Sequence, residues 1–198
     1  MTFKGDLPPP PPPPPPPGYS PYSSGGTGER VVGVMLLRKP KSLGRYDSFT
    51  GVITTQRFIF AQMTSEMMKA AVQQARDQAK SEGKGFWGQW EDQLRASFGY
   101  TQRYLNMEPS AIFTETPGNF MIDNGAIGEV KLHLKNINRG QTQAHVHEFE
   151  LEIKSSQGNA QFRMDERNEY VNLLKQVYGE RVKMPFGYFS AKGVTFRI

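Results

Sequence analysis

The feature that most restricts the possible folds of this chain is a polar tetrapeptide between two short apolar runs. In the stretch GVITTQRFIFA, Val52-Ile53 leads into Thr-Thr-Gln-Arg, and Phe58-Ile59-Phe60 follows it. Apolar runs this short are typical of strands, and a few polar residues between two of them are typical of a tight turn. The pattern predicts an antiparallel hairpin within residues 46–63, with the polar residues at its bend.

Strand patterns also precede this hairpin and follow it. ERVVGVMLLRKP predicts a strand that stops at Pro40, and KSLGR predicts the turn after it. A further strand is expected from Ala111, with turns at Pro117-Gly118 and Asn124-Gly125. Six or seven strands are thus expected in total.

Alternating patterns place the later strands. Apolar residues recur at every second position between Gly128 and Leu134, which predicts one strand. A second alternation sets apolar against acidic residues: Phe149, Leu151 and Ile153 against Glu148, Glu150 and Glu152. The acidic side chains are therefore expected on the wet face of a half-buried strand.

Helical patterns occupy two regions. Residues 63–108 are expected to form a helical insertion, with a first helix capped by Thr64 or Ser65 and a second over about 86–97. A last helix is expected to begin at an Asp165 cap and to end at Gly179. Residues 180–198 follow it as an extension expected to pack back on the strands.

VVGVMLL, a short basic loop and FTGVITTQRFIFAQ together resemble the opening of prokaryotic pleckstrin-homology-like and GRAM-like domains. Thr54, Thr55, Arg57, Ile59 and Phe60 carry the match. In that family a bent antiparallel barrel of seven strands has one open end closed by a C-terminal helix. The resemblance implies an α+β, mainly β fold of this kind, with a helical insertion, and a non-enzymatic role in binding.

The N-terminal residues 1–28 are too polar and too rich in proline to form a core. Ten consecutive prolines, Pro8–Pro17, favour a polyproline helix about 31 Å long, and a Gly- and Ser-rich stretch follows. Such a tract is either a spacer or a ligand for proteins with aromatic grooves. The expected organisation is a disordered tail over residues 1–28 and a pleckstrin-homology-like domain over residues 29–198.

Composition narrows the classes of function. The chain has no cysteine, which excludes disulfides and thiolate metal sites, and its net charge of +5 permits an anionic partner without requiring one. No apolar run is long enough for a transmembrane helix, and the N-terminus lacks the apolar segment of a secretory signal. The expected location is cytoplasmic, with peripheral contact to the inner membrane face where lipid is bound.

No catalytic motif and no basic-aromatic repeat is present. The chain is therefore expected not to be an enzyme, to use no cofactor and to have no nucleic-acid partner. The favoured interpretation is a binding module that recognises a protein partner, through Pro8–Pro17 or the barrel, or an anionic membrane surface. The oligomeric state stays open.

The first candidate site is the basic group Arg38, Lys39, Lys41 and Arg45, which lies in or beside the first hairpin loop. Lipid-binding members of the family place lysines and arginines there, where converging cations hold an inositol phosphate. The resemblance thus implies an alternative function as a sensor of phospholipid headgroups. The other interpretation is a solvated turn.

The second candidate is the aromatic group Phe86, Trp87 and Trp90, beside Lys80 and Lys84. Aromatic residues next to lysines are typical of a membrane interface or a partner contact. The other interpretation is a helix that covers the barrel.

The third candidate is His145-x-His147, with His133 on a nearby strand. Residues two apart on a strand face the same way and can share a metal ion. This pair carries the alternative from another class, an uncharacterised metal-binding protein or enzyme.

Overall fold

The computed structural model of the chain describes residues 28–81, 99–138, 145–191 and 194–197. Its strands are β1 (Val31–Pro40), β2 (Tyr46–Thr54), β3 (Arg57–Met63), β4 (Phe120–Asp123), β5 (Ile127–Asn138), β6 (His145–Ser155), β7 (Ala160–Asp165), β8 (Val182–Lys183), β9 (Tyr188–Ala191) and β10 (Val194–Arg197). Its α-helices include α1 (Ser65–Ser81), α2 (Pro109–Thr114) and α3 (Asn168–Tyr178). Single 3-10 turns lie at Ser42–Gly44, Arg103–Asn106 and Gly179–Arg181.

Eight strands form one mixed sheet in the order β4-β3-β2-β1-β7-β6-β5-β8. All neighbouring pairs are antiparallel except β5 and β8, which run parallel. β9 and β10 form a separate hairpin. Only one residue pair, Arg38 opposite Arg163, joins β1 to β7. We call this junction the seam.

The predicted hairpin is confirmed, and its bend is Thr55-Gln56 between β2 and β3. The Thr54 hydroxyl accepts hydrogen bonds from the backbone amides of Gln56 and Arg57, at 3.1 and 2.9 Å. The Arg57 guanidinium donates to both carboxylate oxygens of Glu29, at 2.9 and 2.8 Å. The polar tetrapeptide therefore fixes the turn and anchors the residues that lead into β1.

The sheet is strongly curved. The rings of Phe60 on β3 and Phe162 on β7 lie 5.0 Å apart, although β2 and β1 separate these strands in the sheet. Three strand spacings in a flat sheet would put them about 14 Å apart. One face of strands β1–β7 thus wraps around a single core.

α3 packs into the concave side of this sheet. Tyr170, Val171, Leu174 and Tyr178 are buried in the main core, and the Tyr178 ring stacks 6.3 Å from Phe58. The helix ends at Gly179, as predicted, and that glycine has φ of 54°, where a residue without Cβ is favoured. The expectation that the last helix lies against the strands is confirmed.

A second core covers the opposite face of β1–β3. Val34, Val52, Ile59 and Ala61 pack there against Tyr104 and Ile112, which come from residues 99–106 and from α2. The first three strands are therefore buried on both faces, which explains why their apolar residues run almost without interruption.

The strand predicted from Ala111 is wrong. Pro109–Thr114 is a short helix, with Pro109 in its first turn, where the missing amide hydrogen costs nothing. Ile112 points from it into the second core. The turn at Pro117-Gly118 is present, but it follows a helix and leads into β4.

The cap predicted at Asp165 is also wrong. Asp165 is the last residue of β7, and α3 begins at Asn168 after Arg167, whose side chain makes no capping hydrogen bond. The Asp165 carboxylate instead accepts a hydrogen bond from Arg38, at 2.8 Å. Of the two caps predicted for α1, Thr64 and Ser65, the structure shows Thr64: its hydroxyl accepts a hydrogen bond from the Met67 amide at 3.2 Å.

The chain after α3 returns to the sheet. β8 pairs with Val130 and Lys131 of β5, and Tyr188 at the start of β9 packs on Phe149.

Within the described residues, no helix has the length and hydropathy to cross a bilayer. The expectations for residues 1–27 and for Phe86, Trp87, Trp90 and the helix over 86–97 lie outside the described residues.

Candidate functional site

The turn between β1 and β2 presents an apolar side chain at its tip. Leu43, in the 3-10 turn Ser42–Gly44, is 90% exposed and has φ of 61°, a conformation that non-glycine residues seldom adopt. The amide of Lys41 donates to the carbonyl of Arg45 at 2.8 Å, which closes the base of the turn. The turn therefore holds a large apolar group in water at a fixed place.

Three of the four predicted basic residues lie in or near this turn. Lys41 and Arg45 flank the 3-10 turn, and Lys39 lies near the end of β1. The Lys41 ammonium lies 2.6 Å from the Asp47 carboxylate, and the side chain is still 53% exposed. Lys39 and Arg45 are exposed as well. The turn thus combines one apolar side chain with several cations.

Arg38, the fourth residue, is engaged in the fold. Its guanidinium lies 2.9 Å from Glu148 on β6 and 2.8 Å from Asp165 on β7, at the seam. Glu148 is only 2% exposed, so its predicted place on a wet strand face is wrong. Its carboxylate is instead paired with the Arg38 guanidinium. Arg38 is therefore committed to holding β1 against β6 and β7.

A cleft of about 340 Å³ opens beside Lys39. Its lining consists of two phenylalanines, the end of β1 and the start of β7: Lys39, Pro40, Phe120, Asn159, Ala160, Gln161 and Phe162. The Lys39 ammonium lies 5.6 Å from the centroid of the Phe120 ring. A space of this size with an apolar wall and a cation suits a small anionic group.

Sequence reasoning missed Leu43 itself, the cleft, and a pair formed by Tyr46 and Arg163. An Arg163 nitrogen donates to the Tyr46 hydroxyl at 2.9 Å, and the guanidinium lies over the Tyr46 ring. Tyr46 is an exposed aromatic residue at the start of β2, next to Arg45. Its position beside a basic residue was a signal, but its partner lies on a distant strand.

Of the histidine candidates, His145 and His147 lie two residues apart on β6, whereas His133 lies on β5 and is not brought to His147. His147 lies opposite Asn136, and His133 lies opposite Glu150 with its ring 3.7 Å from Glu152. By strand alternation, the two histidines are on opposite faces of the sheet. Within the described part of the chain, no group of three His, Cys, Asp or Glu is placed to hold a metal ion.

Comparison with known proteins gave no match to a family model, to a curated protein or to a solved structure.

Proposed function

We propose that the chain is a non-enzymatic binding module of the pleckstrin-homology-like type, which docks on an anionic membrane surface through the β1–β2 turn. The observation that carries this proposal is the exposed Leu43 between the basic residues Lys41 and Arg45. A large apolar side chain held in water beside several cations fits a surface that docks on an anionic membrane.

The arrangement of the strands supports the kinship. Two antiparallel meanders, β1–β4 and β5–β7, meet where β1 lies beside β7, and a helix follows β7 into the core. Seven antiparallel strands closed by one helix are what the resemblance implies. The parallel strand β8 and the helical segments between β3 and β4 are departures from that minimal pattern.

The energies fit weak, reversible binding. Transfer of a leucine side chain from water to an apolar environment contributes about 1.5–3 kcal/mol. Each lysine or arginine near an anionic membrane contributes about 1 kcal/mol. The two terms together give a contact that depends on both the apolar tip and the lipid charge, and that weakens with salt.

The first prediction is that vesicle binding depends on the turn. The full chain should co-sediment with phosphatidylcholine vesicles that contain phosphatidylserine, and not with phosphatidylcholine alone. L43S and R45A should each reduce the bound fraction, and raising the salt from about 0.1 M to about 1 M should abolish it because the Debye length falls from about 10 Å to about 3 Å.

L105S is the matched control, because Leu105 is another exposed leucine, on the helical turn outside the β1–β2 turn. Equal loss of binding in L105S, or full binding by L43S, would contradict the proposal. Folding of each variant is checked by thermal melting.

A second function, recognition of a phospholipid headgroup, is favoured by the cleft beside Lys39. Only one cation lines this cleft among the described residues, whereas a multiply charged phosphate group is best held by several. K39A separates the two functions: it should remove any preference for phosphoinositide over phosphatidylserine, while the part of the binding that depends on Leu43 remains.

Binding of a protein partner through Pro8–Pro17 is tested by a pull-down with and without residues 1–28.

A further inference from the structure

The outer edge of β5 is paired over only a small part of its length. β8 pairs with Val130 and Lys131 and ends at Lys183. Pro185, which has no amide hydrogen to donate, follows two residues later. From Leu132 to Asn138, no strand in the described ranges pairs with this edge.

An unpaired edge of this length offers a row of backbone donors and acceptors to another strand. Its side chains give that row a distinct chemistry. Leu132 faces the core and Leu134 packs against it. The intervening side chains of His133 and Lys135 are about half exposed, at 44% and 49%.

β6 shows what kind of strand fits beside β5. It places Glu152, Glu150 and Glu148 opposite the basic residues of β5: Lys131, His133 and Lys135. Lys135 lies 3.2 Å from Glu150, and His133 lies 3.7 Å from Glu152. Burial raises the pKa of Glu150, but hydrogen bonds from Lys135 and Gln161 outweigh it and hold that pKa below its ordinary value. The basic column of β5 is thus matched by acidic residues on its β6 side.

Pairing of two copies of this chain through the same edge is disfavoured. An antiparallel contact between two open β5 edges would place His133 and Lys135 beside the same residues of the other copy, and like charges opposite each other on a sheet are destabilising. A strand with alternating acidic and apolar residues would instead repeat the pairing that β6 makes, with its apolar residues beside Leu132 and Leu134.

We propose that the β5 edge Leu132–Asn138 binds an extended segment of a protein partner in which acidic residues alternate with apolar residues. The segment adds one strand to the sheet through backbone hydrogen bonds, and its acidic side chains lie beside His133 and Lys135. This site goes beyond the proposed membrane contact and uses none of its residues.

The test uses the full chain and two synthetic peptides of equal length, one alternating glutamate with valine and one alternating lysine with valine. Fluorescence anisotropy of the labelled peptides measures binding. The acidic peptide should bind and the basic peptide should not. K135E and H133E should each weaken the acidic peptide about tenfold or more and should gain affinity for the basic one. K154E is the matched control, because Lys154 is equally exposed but lies on β6.

A third peptide separates strand addition from simple charge attraction. Methylation of alternate backbone nitrogens in the acidic peptide removes donors without changing its charge, and it should abolish binding. Binding that survives methylation, binding of the basic peptide as tight as that of the acidic one, or equal effects of K135E and K154E would overturn the proposal. Vesicle binding by K135E is expected to be unchanged, so failure here and failure of the membrane proposal give different results.

Discussion

Arg38 shows how a residue that resembles a ligand-binding group can serve the fold. It was predicted as part of a basic site, and its guanidinium instead bridges Glu148 and Asp165 on two other strands. A carboxylate as buried as that of Glu148 is tolerated only when a partner neutralises it. Another basic residue three positions further on, Lys41, remains half exposed.

The second prediction follows from this burial. R38A should lower the free energy of unfolding by about 3–5 kcal/mol, because it removes the guanidinium that lies 2.9 Å from the buried Glu148 carboxylate. Chemical denaturation measures it. K154A, which breaks only exposed ion pairs, should cost less than about 1 kcal/mol.

A double variant sharpens this test. Replacement of Arg38 and Glu148 by apolar residues, in R38M/E148L, should recover most of the loss because the buried carboxylate is removed together with the guanidinium that pairs with it. If the double variant is as unstable as R38A, the loss comes from packing and not from the Glu148 carboxylate.

At the scale of elements, the fit of α3 against β1 depends on a single small residue. A Cβ atom at Gly33 would lie 2.6 Å from both terminal carbons of Leu173 on α3. Glycine therefore lets the helix approach the strand, and Tyr170 of the same helix accepts a hydrogen bond from the Leu36 amide at 3.3 Å. The closing helix is positioned by contacts with the first strand.

The third prediction tests this contact. G33A should destabilise the fold by about 1–3 kcal/mol, because Leu173 must move to relieve the overlap. The double variant G33A/L173A should be more stable than the sum of the two single losses predicts. G125A is the control, since a Cβ atom at Gly125 meets nothing within 4 Å. Strict additivity in the cycle would show that the two residues do not interact.

The helices and strands that could be predicted from the sequence are those whose pattern lies within one short stretch of residues. The β2–β3 hairpin follows from adjacent apolar runs and a turn, and β5 and β6 follow from their alternation. α2 was misassigned because its six residues are too few to show a helical period, and AIF suits a strand equally well. The Asp165 cap failed because the carboxylate is taken by Arg38, 127 residues away.

The residues of the candidate site show the same difference between features encoded locally and features that depend on the fold. The basic residues beside the turn were found because they are neighbours in sequence. The cleft between Lys39 and Phe120 and the pair of Tyr46 with Arg163 depend on the order of strands in the sheet. No local pattern encodes such long-range neighbours, so they become visible only in the fold.

At the scale of the whole molecule, several tyrosines link stability to pH. Burial raises the pKa of Tyr178 and Tyr170 above the ordinary value, and burial together with the field of Tyr104 raises the pKa of Tyr100 to about 12. In each case the folded state favours the neutral phenol. The resulting stabilisation is complete below pH 10, the ordinary tyrosine value, and is lost as the pH rises through the folded-state pKa.

The fourth prediction is that the free energy of unfolding falls steeply above about pH 10. Below that pH, tyrosine ionisation should not change it. Denaturation at a series of pH values, with tyrosinate absorbance as a parallel readout, measures this. Y178F should be less stable by about 1 kcal/mol at neutral pH, since it loses the hydrogen bond to Asn124, yet its decline above pH 10 should be shallower. An unchanged slope in Y178F would show that Tyr178 does not contribute to the alkaline loss.

The seam also sets an order of assembly. β1, β2 and β3 are joined by short connections, so their pairing closes only small loops, whereas the contact of Arg38 with Asp165 must wait for residues 127 positions apart to meet. Loop-closure entropy rises with that separation. The three-stranded meander therefore closes at a smaller entropy cost than the junction with β7, so we expect the meander to form first and that junction to close later.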